Sequence, residues 1–382
     1  MRILICVTSH VSYRLVQGQI SYLSNLGHTV HFASTFNEET RDFVIKEGGV
    51  YHSIDMQREL SFFRDILALI NVFKLLYRIR PDIINASTPK AGFLFMLAAR
   101  LAFTLKTKKI FTLRGVRSDT LSGLKRSVVR IMEKLSCYFA DKVIVISPSL
   151  KEHACKIGLV SRKHATVIGA GSSNGIDTER FRPLDDLSSI QALRRSYNIP
   201  VDALVFGYVG RMVRDKGVAE LYEAFKKMRD KYDSVYLLLI GSRDESDVIS
   251  PDLLREIDND GNVVSIDYTS RIQDFFPLMD VFILFSYREG FGNVVLEAAG
   301  MGVPAIVSDI PGLRDTIVED VTGLLAESKS VMDLFVKMEQ LYLERDLIKE
   351  YGSNATRRVN QLFENKIIWH GQLEIYQKLY HV

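Results

Sequence analysis

Cysteine is scarce in this chain: Cys6, Cys137 and Cys155 are its three copies in 382 residues. An odd number cannot all pair, and no metal-type spacing joins them, so a reduced, cytoplasmic setting is expected. Long apolar runs are missing as well. The longest, GFLFMLAARLAFTL, is broken by Arg100 and falls short of the roughly 20 residues that span a bilayer. No transmembrane helix is therefore expected, and MRILICVTSH reads as a first strand rather than a signal peptide. His31, His52, His153 and His164 lack the carboxylate spacing of a metal site, and no metal is expected. No G-x-G-x-x-G follows the first strand, which disfavours a dinucleotide-dependent dehydrogenase. The net charge of +3 is too small to suggest nucleic acid as a partner.

What the chain does have is alternation. Short β-branched runs (RILICV, TVHFAS, VYHSI, DIINAS, KIFTLR, KVIVIS, ATVIGA) are separated by helical stretches in the first half. The pattern restarts with LVFGYVG, VYLLLIG, VVSIDY, VFILFS and PAIVSD. Near-continuous apolar strands between helices predict parallel sheets covered on both faces. The expected class is α/β, with two doubly wound, Rossmann-like domains facing across a cleft and a helical tail beyond about residue 327. Gly, Ser, Asn and Pro concentrate in GSSNGIDTERFRPLDD. The expected domains are therefore residues 1–175 and residues 176–382 with the C-terminal helices.

Ligands of open parallel sheets bind outside the carboxyl ends of the strands. Two motifs occupy such places. LVFGYVG runs into RMVRDKG, which sets Arg211 and Lys216 on a loop before a helix starting near Gly217, an arrangement suited to a diphosphate. A solvated basic loop is the plainer alternative. VFILFS runs into SYREGFGNVVLEAAG, where Glu289 stays on the loop, Gly290, Phe291 and Gly292 turn the chain, and a helix opens near Asn293. Glu297 then falls about one turn into that helix. A surface acid is the plainer reading, but the apolar setting of Glu297 makes an unpartnered carboxylate costly. Two acids around a turn also raise glycosidase chemistry.

Arg-x4-Lys after one strand and Glu-x7-Glu after another resemble the retaining family 4 glycosyltransferases of the GT-B fold, in the branch that builds bacterial capsule and O-antigen polysaccharides. PDIINASTPKAG, ADKVIVISPSL and NGIDTERFRP extend the resemblance over nearly the whole chain. The resemblance implies that Arg211 and Lys216 bind the donor's pyrophosphate. Glu289 would contact the donor sugar, Glu297 would accept hydrogen bonds from the ribose hydroxyls, and the backbone of Gly290–Asn293 would cradle sugar and phosphates. Two places depart from the family pattern. The loop after the first strand reads TSHVSYR instead of carrying a Gly-Gly pair, and Arg114 stands where many relatives have His. His10, Arg14 and Arg114 are then the candidates for contact with acceptor or donor in the N-terminal domain.

The expected reaction moves a sugar from a nucleotide-diphosphate donor, a UDP-sugar by analogy, to a polyprenyl-diphosphate-linked saccharide. No cofactor is expected, because fixed cations can stabilise the leaving diphosphate. A nucleotide-sugar epimerase on the same scaffold, a glycosidase using Glu289 and Glu297, and a non-enzymatic module held by basic segments are the alternatives. Residues 100–134 hold Arg100, Lys106, Lys108, Lys109, Arg114, Arg117, Lys125, Arg126, Arg130 and Lys134 against Asp119 and Glu133. FFRDILALINVFKLLYRIR sets Arg64, Lys74, Arg78 and Arg80 among large apolar residues. Either these are ordinary amphipathic helices, or they make a basic face for an anionic membrane surface, with the protein peripheral to the inner face of the cell membrane.

Overall fold

The computed structural model of the chain describes residues 1–57, 61–102, 106–184, 186–243 and 249–381. They form two units: Met1–Gly175 together with Lys366–Val382, and Ile176–Asn365.

The first unit carries seven strands: β1 (Arg2–Cys6), β2 (Thr29–Ser34), β3 (Val50–Ser53), β4 (Ile83–Ala86), β5 (Lys108–Leu113), β6 (Lys142–Val145) and β7 (Ala165–Thr166). Their order across the sheet is β3-β2-β1-β4-β5-β6-β7, with every pairing parallel. The second unit repeats the scheme with β8 (Leu204–Val209), β9 (Val235–Ile240), β10 (Val263–Ile266), β11 (Val281–Leu284), β12 (Ala305–Ser308) and β13 (Gly323–Ala326), in the order β10-β9-β8-β11-β12-β13. The order reverses between β1 and β4 in one sheet and between β8 and β11 in the other. Those are the switch points at which doubly wound sheets take ligands.

Two strands depart from the sequence expectation. ATVIGA pairs over only Ala165 and Thr166, because Gly169 takes a positive φ of 53° soon after them. GLLA, which has no β-branched residue, becomes β13 through its register on β12, Ala305 opposite Gly323 to Ser308 opposite Ala326.

The expectation that residues 176–382 make one domain is corrected at its end. The last helix, Asn365–Tyr380, leaves the second unit and packs into the first. Trp369, Leu373 and Tyr376 recur at helical spacing, and Leu373 and Tyr376 sit in one core cluster with Ile3, Ile5, Phe32 and Ile110. The Tyr376 hydroxyl is buried and accepts hydrogen bonds from Asn85 Nδ2 at 2.7 Å and Gln372 Nε2 at 2.6 Å. Trp369 Nε1 donates to Asn174 Oδ1 at 2.8 Å.

Three helices of the first unit stand side by side. Pro89–Leu101 is flanked by Phe62–Ile79 and Gly123–Phe139. The flanking helices are amphipathic but not fully covered. One leaves Phe63, Ile66, Leu67 and Ile70 exposed, and the other leaves Leu124, Val128 and Ile131 exposed. The structure also separates the cations of residues 100–134. Gly123–Phe139 runs back between the parallel strands β5 and β6, so Lys125 and Arg126 begin it at the carboxyl ends of the strands. Lys108 and Lys109 open β5 at the amino ends, roughly 25 Å away along a 17-residue helix. Among the described residues no helix is long and apolar enough to cross a membrane.

Candidate active site

β8 ends at Val209 and Arg211 follows on the loop, exposed. A short 3-10 turn, Arg214–Lys216, carries Lys216 to the start of the helix Val218–Lys231. Gly217 joins them at φ 67°, and a Cβ there would run into the Phe285 carbonyl oxygen at the end of the neighbouring β11. Only glycine lets the two loops approach this closely.

β11 leads into Ser286–Gly292. Gly292 takes φ 70° and opens the helix Asn293–Gly300, as the sequence predicts for Asn293. Phe291 is buried, and its ring packs 5.9 Å from that of Phe363. It anchors the turn through its side chain, leaving the backbone of Gly290–Asn293 beside the strand ends.

The two motifs meet. Lys216 Nζ and Glu289 Oε1 form an ion pair, with side-chain exposures of only 17% and 20%. The cation expected at a diphosphate and the acid expected at a sugar thus neutralise each other in the unliganded chain. Asp215, on the same turn, holds Arg288 at 2.8 Å, and its carbonyl accepts the Tyr287 N–H at 2.9 Å. The Tyr287 hydroxyl bonds Glu220, and the Lys329 ammonium lies 4.7 Å from the Tyr287 ring centre. Sequence reasoning missed this brace; the acid between two cations in Arg214-Asp215-Lys216 was the available clue.

Glu297 is the fifth residue of its helix and half-buried. Burial pushes its carboxyl up to about 7, while Arg180 pulls it down. Arg180 belongs to the NGIDTERFRP segment. Its guanidinium is fixed by the Ser270 carbonyl at 2.6 Å and by Gln273 Oε1, and it lies 5.0 Å from the Phe181 ring centre. Three buried side-chain oxygens remain without hydrogen bonds around these strand ends: Ser286 Oγ just past β11, Ser308 Oγ at the end of β12, and Asn293 Oδ1 at the helix start. Buried polar atoms left unbonded are uncommon in folded chains, and a bound group or a water would satisfy these. Ser286 and Ser308 were not singled out from the sequence, and Asn293 was singled out for its backbone rather than its side chain.

The N-terminal candidates lie in the first unit. His10 begins a 3-10 helix, His10–Val16, where its N–H donates to Thr35 Oγ1 at 3.1 Å. Arg14 is exposed beside the Tyr13 ring. Arg114 is committed to the backbone. It donates to the Ser173 carbonyl at 2.7 Å, to the Ser173 hydroxyl and to the Leu15 carbonyl at 3.3 Å, with Nε unbonded. A cavity of about 170 Å³ opens at the β1/β4 switch point, between Thr8, Ser9, Thr88, Lys90, Arg117 and Met132. Lys90, buried at the start of its helix, is paired with Asp65 at 2.7 Å. Among the described residues no cluster of three or more His, Cys, Asp or Glu side chains could hold a metal ion.

The description Glycosyltransferase Family 4 matches residues 14–180, and Glycosyl transferases group 1 matches residues 189–358. The capsular polysaccharide biosynthesis glycosyltransferase CapM of Staphylococcus aureus is 35% identical over 95% of this chain and 93% of its own. The chain belongs to the family 4 glycosyltransferases. The N,N'-diacetylbacillosaminyl-diphospho-undecaprenol alpha-1,3-N-acetylgalactosaminyltransferase of Campylobacter jejuni is 30% identical to this glycosyltransferase, over 80% of this chain and 79% of its own. Anabaena Alr3699/HepE, crystallised with UDP, shares the GT-B fold at a TM-score of 0.82 and 18% identity, covering 99% of this chain and 100% of that one.

Proposed function

We propose that this glycosyltransferase moves a hexosyl or N-acetylhexosaminyl group, with retention of configuration, from a UDP-sugar to a polyprenyl-diphosphate-linked saccharide in bacterial capsule or O-antigen synthesis. The observation that carries the reading is the Lys216–Glu289 pair at the β8/β11 switch point, with exposed Arg211 on the same loop. A diphosphate entering there takes the ammonium of Lys216 and the guanidinium of Arg211, and Glu289 turns to the donor sugar. Glu297 accepts from the ribose hydroxyls. Ser286, Ser308 and Asn293 offer the unbonded oxygens that a hydroxyl-rich donor would fill. A glycosidase needs no such pair of cations.

In the transfer, the bond from the anomeric carbon to the β-phosphate oxygen breaks. The acceptor oxygen bonds to that carbon on the same face, and its proton passes to the leaving phosphate. Arg211 and Lys216 stabilise the charge developing on that phosphate, as preorganised cations do in a low-dielectric site, so the reaction is expected to run without a bound metal.

The acceptor half of the proposal draws on the Campylobacter relative, whose name specifies a diphospho-undecaprenol substrate. The capsule context draws on CapM, and UDP on the Anabaena complex. The acceptor's polar end would enter at the β1/β4 switch point, where Lys90 and Arg117 line the cavity and His10 and Arg14 begin nearby. The exposed apolar rows on Phe62–Ile79 and Gly123–Phe139, with Arg64, Lys125 and Arg126, would rest on the anionic inner leaflet. A donor panel with product analysis, using a lipid-diphosphate-linked sugar as acceptor, tests the assignment. Transfer with inversion, or release of free sugar from a simple glycoside, would overturn it.

A further inference from the structure

The first unit has a second charged hollow, at the end of its sheet opposite the β1/β4 switch point. Its volume is about 910 Å³, and it lies across the amino ends of β1, β4, β5 and β6, four neighbouring strands. Five cations line it: Arg2, Arg80, Lys106, Lys108 and Lys109. Among the described residues two carboxylates face them, Asp82 and Asp141, and each already serves a neighbouring cation. Asp82 accepts the Arg2 N–H at 2.6 Å, and Asp141 accepts the Lys109 N–H at 2.7 Å and pairs with its ammonium at 2.9 Å. Arg80, Lys106 and Lys108 have no carboxylate partner among the described residues. A concave surface of one sign with low-dielectric walls focuses its field on whatever enters.

The geometry points to a second, non-catalytic anion site, taking a multiply charged phosphate ester. Three features select that chemistry. The unpaired groups are mostly ammonium ions, which bind phosphate as point charges and need no planar, two-pronged partner. Donors outnumber acceptors here: each carboxylate already serves a cation beside it, and the Thr107 hydroxyl donates to the Pro81 carbonyl at 2.7 Å. A phosphate, which only accepts hydrogen bonds and carries the opposite charge, suits a lining rich in cationic donors better than an uncharged sugar does. Tyr77 and Tyr380 line the hollow and supply flat faces for whatever the phosphates carry, and the volume falls within the range of small-molecule sites. Nothing in this argument depends on the donor site, which lies in the other unit.

The test uses the full chain and inorganic tripolyphosphate, followed by calorimetry at low salt. The wild type should bind one equivalent at this site, more weakly as salt rises. Arg80→Ser, Lys106→Ser, Lys108→Ser together should weaken that binding at least tenfold, with turnover of the donor unchanged. Arg211→Ala, Lys216→Ala should leave it in place. A cooperative melting transition retained by the triple variant, with a tripolyphosphate-induced shift smaller than that of the wild type, separates lost binding from lost folding. A second arm uses vesicles of neutral phosphatidylcholine with and without cardiolipin. Cardiolipin-dependent binding that the triple variant loses, without tripolyphosphate binding, would place the phosphate on a lipid headgroup. No saturable binding in either arm, equal binding by the triple variant, or loss through Arg211→Ala, Lys216→Ala would overturn the proposal.

Discussion

Glu289→Gln and Lys216→Ala, singly and together, probe whether the two partners of the ion pair have separate tasks. In the unliganded chain they hold each other with less than a quarter of either side chain exposed. Two unit charges about 4 Å apart attract by ~4 kcal/mol at an effective dielectric of about 20. Taking two largely covered charges out of water offsets most of that attraction, and the entering diphosphate replaces Glu289 as the partner of Lys216. Breaking the pair therefore costs the donor little. A charge-assisted hydrogen bond from Lys216 to a diphosphate is worth roughly 1.5–3 kcal/mol. At 1.4 kcal/mol per tenfold, Lys216→Ala should weaken free nucleoside diphosphate about ten- to a hundredfold. Glu289→Gln keeps the shape and leaves the ammonium free for phosphate. Nucleotide affinity should stay within about threefold, while sugar transfer falls at least tenfold. Isothermal titration with the free diphosphate, beside steady-state transfer on all four proteins, reads both quantities. Equal loss of nucleotide affinity in Glu289→Gln and Lys216→Ala would refute the division of labour and make Glu289 a positioning residue for Lys216.

Burial raises the Glu297 carboxyl to about 7, so the folded chain holds a proton there that the unfolded chain releases. Its contribution to stability should therefore fall as pH rises from about 4.5 to about 7. Nucleotide affinity should rise over pH 6–8 as the carboxylate forms, and Glu297→Gln should flatten both trends in melting and titration curves. Tyr376→Phe should destabilise the fold by about 1–3 kcal/mol in denaturant unfolding, because it strands the Asn85 and Gln372 amides in the core. Excess EDTA should leave transfer within about twofold, by the argument that Arg211 and Lys216 meet the diphosphate; loss restored by a divalent ion would contradict it. Binding to anionic vesicles should weaken with salt. It should drop when Leu124, Lys125 and Arg126 are changed to Ser together, each cation near such a surface adding on the order of 1 kcal/mol.

The residues of the candidate donor site could be singled out because each motif is local. Arg211 and Lys216 follow one strand, Glu289 and Glu297 follow another, and a strand running into a turn and a helix is written in adjacent residues. The twelve apolar runs likewise announced all strands but β13, whose GLLA becomes a strand only through its partner β12. What the sequence did not contain was adjacency. Lys216 and Glu289 lie 73 positions apart and meet because β8 and β11 are neighbours at the switch point. The last helix reads as a continuation of the second domain, since nothing local marks a return. It joins the first unit because Leu373 and Tyr376 find their apolar and hydrogen-bonding partners there. The basic run of residues 100–134 reads as one face. Tertiary structure divides it, because a helix between two parallel strands must run back against them. Lys125 and Arg126 end up at the carboxyl ends of the strands, and Lys106 and Lys108 join Arg2 and Arg80 at the amino ends. Local spacing sets the chemistry of a loop; which loops share a site is decided by strand order, and that is a property of long-range pairing.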